Sequence, residues 1–466
     1  MSKNVLVATV SNVSSLVEII NKIEPEKVYF MPSNESIGII EEVISEIEFE
    51  FEYEVVLIEN AYDTQECFDK SRELILRLIK NGDYVNVDYT GGSKTMTAGL
   101  ALASSGTGCR FTYVGSEDNK GRDRDGKGNV RDGFEKVIVQ FDPFETKAIF
   151  EIDRAKQFFN NYQFAAALKS FQDARNKIAD SGFVDEDLLY LTDCYIGLVK
   201  FYDSWDKFET EYNSKDYDDV EEKTENLSDL LNDIIEKSIK SNEYCRSYFE
   251  NEENNFFNQM ESNLEFLRNK TSKNERKKSG KFNEKVKFYL PDLLNNAKRR
   301  ISERKFDDAV ARLYRSIELI AQLELLKQEF IDYKKLRENK KFFMDKQKFF
   351  NHPFDDDFKS DVKGWSKKDF KDEEKNTFTL ARENSYKFLE KLGVSWAGEF
   401  LNDDILKKGL TARNYSILAH GLNPIGRDTA KDLYNIVFYY SKKYDEDIEK
   451  NMKKAEFPQF NSYLGV

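Results

Sequence analysis

The chain of 466 residues contains only two histidines. One of them, His420, stands seven residues after Arg413 in "LTARNYSILAHGLNP". Seven residues are two helical turns, so on an unbroken helix both side chains project from one face, with Asn414 beside them. A guanidinium that holds a phosphate and an imidazole that moves a proton near neutral pH suit phosphodiester cleavage without a metal. The histidine also has a plainer role open to it. It precedes Gly421, a natural helix C-cap, and a cation at a helix C-terminus contributes about 0.3–1 kcal/mol with no chemistry. The other histidine, His352, precedes Pro353 in "FFNHPFDDD" and has no evident partner.

A second stretch, "NVDYTGGSKTMTAGLALASS" (86–105), has the look of a triphosphate loop. Such a loop needs glycine directly before its lysine, whereas Ser93 precedes Lys94 and the earlier glycine is missing. A Walker-type ATPase is therefore disfavoured. What remains is a strand, a tight Thr90-Gly91-Gly92-Ser93 turn and a helix starting near Lys94-Thr95. That geometry aims backbone N–H groups and a helix N-terminus at an anion. Gly91 and Gly92 let the backbone approach phosphates, Lys94 adds charge, and Thr90, Ser93 and Thr95 supply hydroxyls. The alternative for Lys94 is a solvated surface lysine, and "TAGLALASS" also suits close helix–sheet packing. A dehydrogenase-type enzyme is disfavoured, because "VATVSNVSS" lacks the glycines of a dinucleotide fingerprint.

The elements that must position these residues fall into two regimes. Up to about residue 145, strands alternate with helices: "NVLVATVS", "KVYFMPS", "EYEVVLIEN", "YVNVDYT", "CRFTYVG" and "EKVIVQF" read as strands. Between them, "SSLVEIINKI" is capped by Ser14 or Ser15, "SIGIIEEVISEI" follows, and "TQECFDKSRELILRLIKNG" is closed by Gly82. The loop "SEDNKGRDRDGKGNVRDG" reads as a mobile hairpin connection. Val/Ile-rich strands separated by amphipathic helices predict a parallel, doubly wound sheet. Ligands bind such sheets at the carboxyl ends of their strands, which brings Thr9, Ser11 and Asn12 of the first loop beside Thr90–Thr95.

After Pro143 strand patterns vanish and helical periodicity runs to the end. "AKQFFNNYQFAAALKSF" from Ala155 is echoed by "AKRRISERKFDDAVARLY" from Ala297, aligning Phe164 with Phe306, Ala167 with Ala309 and Phe171 with Leu313. Two copies indicate a repeated helix hairpin and not a solenoid. The part beyond about Asn295 reads as a helical bundle. Net charge is −14, yet the segment 268–305 holds fourteen Lys/Arg against four Asp/Glu. It is either a solvated charged connector or a positive rim for a polyanion. Four scattered cysteines without Cys-x-x-Cys point to a reducing cytoplasm and away from structural zinc. No leader-like segment is evident at the N-terminus, and no apolar run approaches a membrane span.

Arg-Asn followed by His six residues after the asparagine, within a C-terminal helical bundle, resembles the Arg-x4–6-His signature of HEPN ribonucleases. "YTGGSKTMTAGLALA" on a Rossmann-like domain resembles the ligand loop of CARF domains. With "DDAVARLYRSIELIAQ" and "ARNYSILAHGL", the chain is similar to the CARF–HEPN ancillary ribonucleases of type III CRISPR systems, from the first strand to about Tyr444. The resemblance implies a CARF domain over 1–145, a helical connector over 146–290 and a HEPN domain over 291–466. It implies a homodimer that pairs two sets of Arg413, Asn414 and His420 into one composite site for single-stranded RNA. It also implies a pocket for a cyclic oligoadenylate, with cyclic tetra-adenylate favoured over hexa-adenylate and no other cofactor. Thr9, Ser11, Asn12, Thr90, Gly91, Gly92, Ser93, Lys94 and Thr95 would form that pocket. Thr9, Ser11 and Thr95 would be the hydroxyls available for cleaving the activator, although binding alone is their plainer role. A regulatory protein that signals to a partner without cleaving RNA is the competing function.

Overall fold

The computed structural model describes residues 2–116, 130, 133–181, 184–209, 211–217, 224–271, 285–332, 335–336, 338, 341–419 and 421–461. Strands β1 (Asn4–Thr9), β2 (Lys27–Met31), β3 (Glu52–Val55), β4 (Tyr84–Asp88) and β5 (Arg110–Gly115) pair in parallel. β6 (Lys136–Gln140) closes the sheet antiparallel to β5, giving the order β3-β2-β1-β4-β5-β6. The doubly wound reading therefore holds, and the antiparallel last strand agrees with the hairpin expected between β5 and β6. Most of the loop between β5 and β6, read as a mobile hairpin connection, lies outside the described residues.

Residue alternation explains why both faces of the sheet are covered. Val5 and Val7 of β1 enter one core with Leu74 and Leu100, from α3 (Thr64–Lys80) and α4 (Lys94–Ser104). Leu6 and Ala8 enter the opposite core with Ile19 and Ile40, from α1 (Val13–Ile23) and α2 (Ile39–Ser45). A period of two on a strand does this by itself. α1 is capped by Asn12, which accepts from the Ser15 N–H at 3.0 Å; the expected Ser14 or Ser15 cap is corrected accordingly. The small residues of α4 serve close packing, chiefly against α3 and less against the sheet. A Cβ on Gly99 would lie 2.6 Å from the Cys67 Cβ.

The chain divides into two compact units, Met1–Ala155 with Lys169–Asp193, and Lys156–Leu168 with Cys194–Val466. The internal echo is a shared turn. Between α5 (Ile149–Asn160) and α6 (Phe164–Ala179), Tyr162 adopts φ 61°, and the Gln163 N–H bonds the Phe158 carbonyl at 2.9 Å. Between α8 (Tyr289–Ser302) and α9 (Phe306–Lys327), Arg304 adopts the same φ 61°, and the Lys305 N–H bonds the Arg300 carbonyl at 2.8 Å. Each is a left-handed C-terminal cap built without glycine.

In the second unit, α9 packs its Leu313, Ile317 and Ile320 against Phe388 of α10 (Arg382–Lys391), Leu410 of α11 (Asp404–Asn414) and Leu433 of α12 (Arg427–Tyr444). Strands do not vanish after Pro143. Glu211–Asn213 pairs with Thr224–Asn226, and Met344–Asp345 with Thr377–Phe378, in pairings too short for periodicity to reveal. The basic stretch is largely engaged where it is described. Arg299 and Arg300 hold buried Asp206, at the end of α7 (Glu186–Asp206), at 2.7 and 2.5 Å. Lys270 pairs with buried Asp292, and Lys298 with Glu456. Those cations are not a free positive rim. Residues 272–284 lie outside the described residues. Among the described residues, no helix is long and apolar enough to cross a membrane.

Candidate functional site

At the carboxyl end of the sheet the first and fourth loops meet as expected. The Thr9 hydroxyl donates to the Gly91 carbonyl at 2.6 Å, and Thr97 donates to the same oxygen at 3.1 Å. Gly91 is required there, because a Cβ would come within 2.7 Å of the Thr9 carbonyl and 2.9 Å of the Ser11 hydroxyl. Beside this junction Thr90, Gly92 and Lys94 line a cavity of about 460 Å³, together with Tyr89, Thr97 and Tyr113. Lys94 stands exposed on the first turn of α4, without a carboxylate partner among the described residues. The rings of Tyr89 and Tyr113 stack at 6.0 Å and 25°. Aromatic faces next to a lysine and a helix N-terminus suit a nucleobase and its phosphate.

Other expected residues serve the loops themselves. Ser93 caps α4, accepting from the Met96 N–H at 3.2 Å, and its hydroxyl donates to the Ala61 carbonyl at 2.6 Å. Thr95 also donates to Ala61. Asn12 is engaged in capping α1, while Ser11 is exposed. Thus Thr9, Asn12, Ser93 and Thr95 shape the walls, whereas Thr90, Gly92 and Lys94 face the cavity. A larger cavity of about 860 Å³ lies around Arg110, Asp142 and Lys177, near the start of β5. It is at the wrong end of a parallel sheet for the usual ligand position, and its Lys177 is paired with Glu145 and Glu151.

The sequence reading missed Asp88, buried at the floor of the turn. Its carboxylate accepts from the Thr90 N–H at 3.1 Å, the Thr90 hydroxyl at 3.0 Å and the Thr112 hydroxyl at 3.2 Å. Burial outweighs these bonds and pushes the carboxyl from its ordinary 3.8 up to about 6. A carboxyl raised in the folded state stabilises the fold at low pH, and that contribution is lost as pH climbs through about 6. Asp88→Asn is therefore expected to match the wild type near pH 4 and exceed it at pH 7.5, by up to about 3 kcal/mol. Urea unfolding at the two pH values checks this; a pH-independent difference would contradict it.

If Lys94 holds a ligand phosphate, Lys94→Ala should weaken binding of that ligand by about 10-fold or more, since a charge-assisted contact is lost. Its exposure predicts an unchanged melting temperature. Calorimetry showing wild-type affinity would remove Lys94 from the site.

In the helical unit, Arg413 and Asn414 end α11. The continuous helix expected through His420 is corrected. Residues 415–419 form turns, because the Tyr415 carbonyl is taken by the Asn423 N–H at 3.2 Å and the Ser416 carbonyl by the Ala419 and Gly421 N–H groups. The two-turn spacing from Arg413 therefore does not apply, and His420 lies outside the described residues. The Arg413 guanidinium lies 4.3 Å from the Tyr314 ring centre and bonds Asn414 Oδ1 at 3.4 Å. Tyr415, Ile417, Leu418 and Leu422 next to it are all more than half exposed. His352 sits among Phe330 and Phe354, at the end of the helix Lys346–Asn351.

A ligand-type α/β sheet followed by a helical unit that presents an arginine at a helix end is the architecture of CARF–HEPN proteins. Residues 278–443 match the family described as the Csm6 HEPN domain, so the resemblance read from the sequence holds. The structure is similar to that of "Enterococcus italicus Csm6 bound to cyclic hexa-2'-fluoro-hexa-dAMP", at 11% identity, TM-score 0.51, covering 97% of this chain and 99% of that one. This likeness shows the fold. A "Type III CRISPR defence DNA nuclease activated by cyclic oligoadenylate" aligns over 45% of this chain and 34% of that one, at 12% identity and TM-score 0.22, too low to bear on it. No curated protein matches the chain.

Proposed function

We propose that the chain is a cyclic-oligoadenylate-activated, metal-independent endoribonuclease acting on single-stranded RNA in cytoplasmic CRISPR antiviral defence. The observation that carries this reading is the Csm6 HEPN match over a segment containing Arg413, Asn414 and His420. Sensing is assigned to 1–145, connection to 146–290 and cleavage to 291–466. RNA brings its own nucleophile. Its 2′-oxygen attacks phosphorus and the bond to the 5′-oxygen breaks, leaving a 2′,3′-cyclic phosphate. Arg413 binds the scissile phosphate and stabilises its added charge, Asn414 orients it, and His420 transfers the proton. The exposed Tyr415, Ile417, Leu418 and Leu422 suit a second copy of the chain, which would bring two such sets together. Light scattering should then give about twice 54.5 kDa.

For the activator, Lys94 and the Gly91-Gly92 turn supply phosphate contacts, and Tyr89 and Tyr113 supply stacking faces. The similar Csm6 structure is bound to a cyclic hexanucleotide, so both ring sizes belong in the test. Cleavage of the activator itself would fall to the exposed Ser11, since the Thr9 and Thr95 hydroxyls are engaged. The deciding experiment incubates labelled single-stranded RNA with the protein, with and without cyclic tetra- or hexa-adenylate, in EDTA. Activator-dependent cleavage supports the reading. Binding of a cyclic oligoadenylate without any RNA cleavage would leave the purely regulatory function.

A further inference from the structure

Tyr314 on α9 carries two guanidinium groups. Arg413, from the last turn of α11, has its Cζ 4.3 Å from the ring centre, and Arg382, the first residue of α10, has its Cζ at 4.8 Å. Two like charges are thus gathered on one phenol ring from separate helices. Among the described residues no carboxylate pairs with either. Of the acids on the same helices, Glu383 pairs with Lys387 at 2.7 Å and Asp308 with Arg312 at 3.6 Å, while Asp307 accepts the Ile425 N–H at 3.2 Å through Oδ2 and its buried Oδ1 has no partner among the described residues. The arginines of α9 itself are satisfied, Arg312 by Asn296 and Arg315 by Gln322. Arg382 differs from them: its side chain is half-buried, and its Nη1 has no hydrogen-bond partner among the described residues. An unmatched donor on a fixed charge, beside a second guanidinium bonded only to the amide oxygen of Asn414, is a place for an anion.

We infer that Arg382 is a second phosphate contact of the RNA site, holding the phosphate adjacent to the one at Arg413; this rests on the ribonuclease reading above. Tyr314 is the positioning residue for both. The bland alternative is that Arg382 only stacks on Tyr314 and stabilises the bundle.

The test measures binding of 2′-O-methyl RNA, which lacks the nucleophile, by fluorescence anisotropy over a range of salt, with the full chain and cyclic oligoadenylate. Arg382→Gln should weaken binding by about 10–100-fold, the loss of one charged hydrogen-bonded contact. It should also flatten the slope of log affinity against log salt by about 0.7, the single-strand value for one phosphate. Arg382→Lys should restore the slope without the full affinity, because ammonium keeps the charge and loses the bidentate fork. A lower melting temperature with affinity and slope unchanged would overturn the inference and leave the stacking role. Failure of the wild type itself to bind or cleave any RNA would bring down the ribonuclease reading and this inference with it.

Discussion

His420→Ala is expected to lower activator-stimulated RNA cleavage by about 10²–10⁴-fold, the usual worth of a general acid–base, while the melting temperature and activator affinity stay near wild type. A histidine that only favours a helix end would give the opposite pattern, a live enzyme less stable by about 1 kcal/mol or below. The two outcomes differ in kind, so one cleavage assay beside one melting curve separates them. The helix ends at Asn414, six residues before His420, which weakens the capping alternative for that histidine. Arg413→Ala should share the folded, inactive phenotype. Near wild-type cleavage by His420→Ala would take the chemistry away from this segment.

The second large effect is on stability. Asp206 accepts from Arg299 at 2.7 Å, Arg300 at 2.5 Å and Asn296 at 2.9 Å, all within the protein interior. Asp206→Ala would leave buried Arg299 without its carboxylate partner and Arg300 with Glu303 alone. Removing one partner of a buried pair typically costs about 3–5 kcal/mol. Asp206→Asn should cost less, because the amide oxygen still accepts one of these bonds. Urea unfolding monitored by the fluorescence of Trp205, which lies one residue away, would read both. A loss under 1 kcal/mol for the alanine variant would show that the cluster contributes little to stability.

The legible parts of the fold were those set by local pattern. β1 read as a strand buried on both faces because Val5–Ala8 is an unbroken apolar run. The hairpin echo was legible because the same packing positions recur in it. The reversal at β6 was legible through the glycine-rich hairpin loop that precedes it. The pocket was half legible. Gly92 and Lys94 announce a phosphate turn, but Tyr113 reaches it only through the β4–β5 register, where Asp88 stands opposite Thr112. The end of α11 was missed because hydrogen bonds from Gly421 and Asn423 back to 415–416 stop the helix, and no propensity encodes them. Arg382 lies 31 residues before Arg413, too far for spacing to connect the two.

The Tyr314 ring has a thermodynamic consequence. A free surface arginine samples many rotamers, and fixing one on binding typically costs about 0.5–1.5 kcal/mol. Arg413 and Arg382 already lie against the ring before RNA arrives, so much of that ordering has been met during folding. Removing the ring with Tyr314→Ala keeps both charges and returns their freedom. On the proposed RNA site, binding by that variant should show an unchanged salt slope and a less favourable entropy, the mark of a phenol that acts on recognition without touching the RNA.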